Sequence, residues 1–222
     1  KLTNAPIKFV VNTHVHPDHT GGNENLAKTG ATLLARPQLR ERLAHPAPGA
    51  NGQPGTPAPA GALPVLTYDS TITFHMNGEE IQAIPIRAAH TDGDTLVRFV
   101  NNDVIMTGDF YRSLGYPNID RANGGSMRGM LEGLAQIVAM AGPKTKIVPG
   151  HGDTVDRTAV QWHRDMMMAV RDNVAKLEAQ GKTLAEVVAA KPIAEFDAKV
   201  PSAATTSERF IGQLYAEIKA AK

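Results

Sequence analysis

THVHPDHTGG, residues Thr13 to Gly22, sets His14, His16, Asp18 and His19 within six positions, directly after the run IKFVVN, Ile7 to Asn12. That run is apolar and β-branched and stops at Asn12-Thr13, so it reads as a buried strand. The histidines then occupy the loop at the strand's C-terminal end, followed by Gly21-Gly22 and a helical stretch around Asn25 to Lys28. In open α/β sheets this is the end of the strand at which ligands bind.

The spacing has chemical meaning. Side chains two apart point the same way where the chain is locally extended, so the imidazoles of His14 and His16 can share one metal ion. Asp18 and His19, on the tightening turn beyond, can face a second ion beside the first. A zinc site needs about four ligands, or three with an open position for water, so the loop supplies only part of two sites. Three further candidates stand after strand-like runs and beside glycine: His90 in AAHTDGDT, Asp109 in MTGDF and His151 in VPGHGDT.

Elsewhere the chain alternates strands and helices. ATLLA (Ala31 to Ala35) reads as a strand and Gln38 to Ala44 as a short helix. Residues 46–64 hold six prolines and four glycines, too many for a regular element, and form a long surface loop that can serve as a flap over a site. TITFHM and EEIQAIPI flank Asn77-Gly78, a strong hairpin signal, and TLVRFV and DVIMTG flank Asn101-Asn102. Ser126 caps a helix with Met130, Leu131, Leu134, Ile137 and Val138 on one face. KIVPG is a further buried strand. A long helix runs from Asp156 to about Gln180, Thr183 and Glu186 form a capping box, and Ser207 opens the last helix. No internal repeat of fixed period is present, and residues 1–222 read as one domain.

THVHPDHTGG, HTDGD, TGDF and PGHG, in that order, resemble the successive motifs of the metallo-beta-lactamase superfamily, over about Ile7 to Asp153. The resemblance implies an α/β fold, an αββα four-layer sandwich of two mixed β-sheets flanked by helices. It also implies two Zn2+ ions: His14, His16 and His90 on the first, Asp18, His19 and His151 on the second, and Asp109 bridging both. The implied chemistry is a dizinc hydrolase whose metal-bridging hydroxide, available because zinc lowers the pKa of water to about 7, attacks an ester, lactone, thioester or amide carbonyl. Asp18 is the catalytic residue that orients that hydroxide. Thr91 and Asp94, beside His90, are expected to fix an imidazole tautomer from outside the ligand set.

The match has departures. A bridging aspartate at 109 looks like glyoxalase II rather than the cysteine-type lactamases; weak β-lactam hydrolysis is the leading expectation within the hydrolase class, and glyoxalase-II-like thioester hydrolysis is the alternative. The chain lacks an evident basic C-terminal glutathione-binding region. Arg112 falls where those lactamases place a carboxylate-binding lysine, and with Asn118 it is a candidate substrate-binding residue. Asn118, Asp120 and Asn123-Gly124-Gly125 read as a turn leading into the next helix beside the pocket. The superfamily usually has several strands before the histidine loop and only about a dozen residues precede it here, so those strands are expected to be missing and sheet edges exposed. Relatives with a di-iron oxidoreductase centre carry an acid where His16 stands, which sets that reading apart. A non-catalytic metal-binding protein is the remaining alternative, though all seven ligand positions are filled.

The rest of the chain narrows the partners. Net charge is +1, which offers no electrostatic footprint for nucleic acid or an anionic membrane, and no apolar run approaches the roughly 20 residues of a membrane span. A small-molecule substrate is the expected partner; the oligomeric state is open. With zero cysteines there is no thiolate nucleophile, metal thiolate or disulfide. The segment GKTLAEVVAAKPIAEFDAK resembles secreted bacterial superfamily members, which implies a periplasmic location. His45, His75 and His163 lie outside every motif and read as ordinary surface or core histidines, and Met166, Met167 and Met168 as core filler.

Overall fold

In the computed structural model, which describes residues 4–48 and 52–221, the apolar run ahead of the histidines forms β1 (Phe9–Val11). After it come α1 (Pro17–Thr20), α2 (Asn23–Lys28), β2 (Thr32–Ala35), α3 (Pro37–Ala44) and β3 (Leu66–Thr67). β1, β2 and β3 form a three-stranded sheet in that order, and both pairings are parallel. The expected pair of sheets is present; among the described residues this one is wholly parallel and the other mixed. Each connection here carries a helix, and parallel neighbours need such a crossover.

The Pro/Gly-rich loop is the second crossover, not a flap over the histidines. Residues 49–51 of it lie outside the described residues. The remainder is held to the helices behind the sheet, with Ala58 N donating to Leu43 O at 2.8 Å, Arg40 Nη1 to Pro64 O at 3.0 Å and Asn23 Nδ2 to Ala62 O at 3.0 Å.

The second sheet has five strands, β4 (Ile72–Met76), β5 (Glu79–Pro85), β6 (Thr95–Phe99), β7 (Val104–Met106) and β8 (Lys146–Val148). Asn77 and Gly78 take φ values of 56° and 73°, the positive-φ pair of a tight hairpin turn. β4 to β7 pair antiparallel, whereas β7 and β8 are parallel, joined through α4 (Met127–Met140). β5, β7 and β8 therefore all run the same way, which delivers three loops to one end of the sheet.

Burial orders the layers. Ala83 and Ile84, adjacent on β5, are both buried because they face opposite ways. Ala83 joins Leu34 and Tyr68 in a small cluster between the two sheets. Ile84 joins Ile105, Ile147, Met130, Leu134 and Val170 in the main core, beneath α4 and α5 (Arg157–Ala179). With α2 and α3 behind the first sheet, the order is helix, sheet, sheet, helix. Met166 and Met167 are buried in this core, whereas Met168 is only half-buried.

The C-terminal part adds α6 (Leu184–Ala189), whose Thr183–Glu186 capping box is present, and α7 (Ala203–Ala220). α7 starts one turn before the Ser207 expected from sequence. The Thr205 and Thr206 hydroxyls bond back to Ser202 O at 3.0 and 3.1 Å, which carries the helix through residues of poor intrinsic propensity. β1 is an edge strand, and Ile7 and Phe9 are 50% and 41% exposed. Among the described residues no helix is long and apolar enough to cross a membrane.

Candidate metal centre

β1, β5, β7 and β8 each end in a loop that carries candidate ligands. His14, His16, Asp18 and His19 follow β1, His90 follows β5, Asp109 follows β7 in a short 3-10 turn, and His151 follows β8. The loops meet between the sheets: Thr95 N donates to Thr13 O at 2.8 Å, Thr107 N to Val148 O at 3.0 Å and Gly150 N to Gly108 O at 2.8 Å.

The side chains converge. His14, His16 and His90 offer donor atoms all within 4.8 Å of one another, and so do Asp18, His19 and His151. His90 Nε2 lies 3.0 Å from His16 Nδ1. Asp18 Oδ2 is 3.3 Å from His19 Nε2 and 3.2 Å from His151 Nε2. Asp109 stands between the trios, with Oδ1 3.2 Å from His19 Nε2, and Oδ2 3.2 Å from His151 Nε2 and 4.0 Å from His90 Nε2. Nitrogens held at 2.0–2.1 Å around a tetrahedral zinc are separated by about 3.3 Å, so the donors fit a metal without large movement.

Two atoms point to the same conclusion from another side. His14 Nε2 and Asp109 Oδ1 are buried with no hydrogen-bond partner; Oδ1 has only the His19 imidazole facing it. A buried polar atom without a partner costs about 1–3 kcal/mol, and a cation supplies the partner. Burial, reinforced by the neighbouring His90, lowers the His14 imidazole to about 2. Burial lowers His90 to about 4 against the opposing bond to Asn118. Both rings thus stay neutral, the form in which histidine ligates. Burial opposes ionisation of Asp109, but the His19 imidazole 3.2 Å from its Oδ1 holds the carboxyl well below the usual carboxylate range.

Outer partners orient the rings. Asp120 Oδ2 lies 2.7 Å from His16 Nε2, a bond that raises the His16 pKa. His90 Nδ1 lies 2.6 Å from Asn118 O, which sets the proton on Nδ1 and turns the Nε2 lone pair inward. The Thr13 hydroxyl sits 3.2 Å from His14 Nδ1 and 3.4 Å from His19 Nδ1. Beneath the loop, Asn12 and Asn23 exchange two amide bonds of 2.9 Å, and Asn12 Nδ2 also donates to His19 O at 3.1 Å.

This corrects the role expected for Thr91 and Asp94. Asp94 Oδ1 and Oδ2 accept from the Thr91 hydroxyl at 2.7 Å and from Thr91 N at 2.9 Å. They tie the backbone turn that carries His90, while the ring bond goes to the Asn118 carbonyl. With His90 Nδ1 already 2.6 Å from the Asn118 carbonyl, the ring does not need either side chain. Burial pushes the Asp94 carboxyl up to about 7 against the Thr91 bonds.

The candidate substrate residues separate. Asn118 serves the site through its carbonyl, and its Oδ1 accepts from Gln213 Nε2 of α7 at 2.8 Å. Arg112 lines a different cavity, with Tyr111, Trp162, His163 and Lys199, which no candidate ligand lines. The sequence places Asp120 in a turn beside the pocket; the pattern Asp120-x-x-Asn123 does cap that turn, through Asn123 N to Asp120 Oδ1 at 3.1 Å, while its other oxygen serves His16. His45 pairs with Glu41 at 2.8 Å on the surface and His75 is exposed on β4, as their positions outside the motifs suggest.

Comparison with known proteins agrees with the fold and the motifs. The model of the Metallo-beta-lactamase superfamily matches residues 1–152, and the chain belongs to that superfamily. It is 31% identical over 150 residues to a hydroxyacylglutathione hydrolase of Pelagibacter ubique, across 67% of this chain and 53% of that enzyme. The chain thus spans about half the length of this curated relative. Among solved structures, a metallo-beta-lactamase from Pontibacter korlensis superposes with a TM-score of 0.59 at 18% identity, over 74% of this chain and 71% of its own. The sec-alkylsulfatase Pisa1 from a Pseudomonas species gives 0.68 at 18% identity, over 96% of this chain and 41% of its own. At such identity these likenesses concern the fold.

Proposed function

We propose that this chain is a dizinc hydrolase of carbonyl compounds, with thioesters as its substrate class. His14, His16 and His90 would hold one ion, Asp18, His19 and His151 the second, and Asp109 both. The observation that carries the reading is Asp109, whose Oδ2 lies 3.2 Å from His151 of one trio and 4.0 Å from His90 of the other, while its Oδ1 lies 3.2 Å from His19. The all-nitrogen and oxygen donor set suits zinc. When bound, the ions supply Lewis acidity and lower the pKa of water to about 7.

The chain's own groups do the rest. Asp120 and the Asn118 carbonyl hold the rings of His16 and His90 in single tautomers. Asp18, with its side chain 56% exposed, stands at the open side of the trio and is the group that orients the attacking water. The hydroxyacylglutathione hydrolase relative supports thioester over β-lactam, as does an aspartate rather than a cysteine at 109. A periplasmic or secreted location belongs to the same proposal and is checked by cell fractionation.

The test is metal content by elemental analysis together with turnover of a glutathione thioester, a lactone and a chromogenic cephalosporin. Two zinc ions per chain with thioester hydrolysis are expected. Cephalosporin turnover without thioester turnover would overturn the substrate class, and metal-loaded protein inert on all three would overturn the hydrolase.

A further inference from the structure

A cavity of about 190 Å3 lies between the segment that follows Asp109, the first two turns of α5 and residues 199–201. We propose that it is a second binding site, for a small carboxylate with an apolar body. The inference is independent of the metal centre, since none of the seven candidate ligands lines the cavity.

The lining pairs cationic heads with an apolar wall. Arg112 Nε is buried without a hydrogen-bond partner, and among the described residues no carboxylate lies within ion-pair distance of Arg112. The neighbouring Arg209 is another cation, held below its usual pKa by burial and by the charge of Arg112. The Lys199 ammonium sits 6.0 Å from the centroid of the Trp162 ring and likewise has no carboxylate within that distance among the described residues. His163, 5% exposed, leaves Nε2 without a partner. A half-buried guanidinium with an unused donor is costly to keep unpaired, and its planar fork matches a carboxylate.

The wall is supplied by Tyr111, Trp162, Val155 and Val200. Asp156 at the start of α5 serves as the helix cap, its Oδ1 accepting from Ala159 N at 2.9 Å. A cavity of this size suits a compact ring bearing one carboxylate better than a peptide or a nucleotide.

Trp162 is the only tryptophan of the chain, so its fluorescence reports on this cavity. The full-length protein is titrated with cyclohexanecarboxylate, with cyclohexylmethanol as the neutral isostere and with inorganic phosphate as the bare anion, each before and after chelator treatment. Cyclohexanecarboxylate is expected to give a saturable change that the chelator leaves intact, with the alcohol and phosphate about tenfold weaker or more. Arg112→Gln is expected to weaken it by about tenfold, with partial recovery in Arg112→Lys; Lys199→Gln carries the same test should the Arg112 variants fail to fold. An absent or non-saturating response overturns the site. So does equal binding of the alcohol or phosphate, loss of binding with the chelator, or indifference to both cation substitutions.

Discussion

Asp120 and His16, 104 residues apart in sequence, meet at 2.7 Å between carboxylate oxygen and Nε2. The bond leaves Nδ1 of His16 facing His90 Nε2, so a residue outside the recurring motifs decides which nitrogen a metal would meet. Asp120→Asn keeps a hydrogen-bonding group and removes the charge. Metal affinity is expected to fall by about 10–100-fold, measured by competition with a chromophoric chelator. Unchanged affinity would reduce Asp120 to a turn residue.

Gly150 tests the position of Asp109. A Cβ at 150 would collide with Asp109 Oδ1 and with the Gly108 backbone. Gly150→Ala is expected to cost about 1–3 kcal/mol of stability and to lower the metal content below two ions per chain, read by denaturant titration and elemental analysis. Full occupancy in the variant would show that Asp109 is not needed where it stands.

Acid should weaken the fold through His163. Burial lowers its pKa from 6.5 to about 4, so between those values the unfolded chain binds a proton that the folded chain does not. The contribution is whole above pH 6.5, declines as pH falls towards 4 and is then lost, on the order of 3 kcal/mol in all. His163→Phe, which keeps a ring beside Tyr111, should flatten this part of the profile in urea melts of the metal-free protein. An identical pH slope in both proteins would reject the assignment.

Metal should stabilise the chain as well as activate it. At a zinc concentration about 1000-fold above the dissociation constant, the gain is about 4 kcal/mol, or on the order of 10 °C in melting temperature for a domain of this size. Calorimetry with and without chelator reads the difference, and coincident melts would mean that the donor cluster holds nothing.

Local signals made much of this molecule legible in advance. Asn77-Gly78, the Thr183–Glu186 capping box and IKFVVN are each decided within a few residues, and the candidate ligands stand in four short motifs at strand ends. What escaped was held by distant or backbone groups. The Asn118 carbonyl that takes the His90 proton has no side-chain signature. The Asn12–Asn23 clamp under the loop looks like two ordinary polar residues until the chain folds. Arg112 follows Asp109 by three positions, yet the backbone turn there carries its side chain to a separate cavity. The two threonines that start α7 early act through hydroxyl bonds to Ser202, which propensity does not count.

The candidate ligands are divided between the two sheets: four come from the loop after β1, and three from the loops after β5, β7 and β8. A small apolar cluster, Leu34, Tyr68 and Ala83 with the partly buried Val11, Ile72 and Phe74, and polar bonds such as Tyr68 Oη to Thr95 Oγ1 at 2.9 Å also tie the sheets. A metal held by these residues would therefore act as a latch on local opening. Amide protons of β1 and β2 should exchange with solvent faster in the metal-free chain, while those of β5 and β6, locked into the larger core, should change little. Uniform slowing across both sheets would mean that they open as one cooperative unit rather than along the seam the metal bridges.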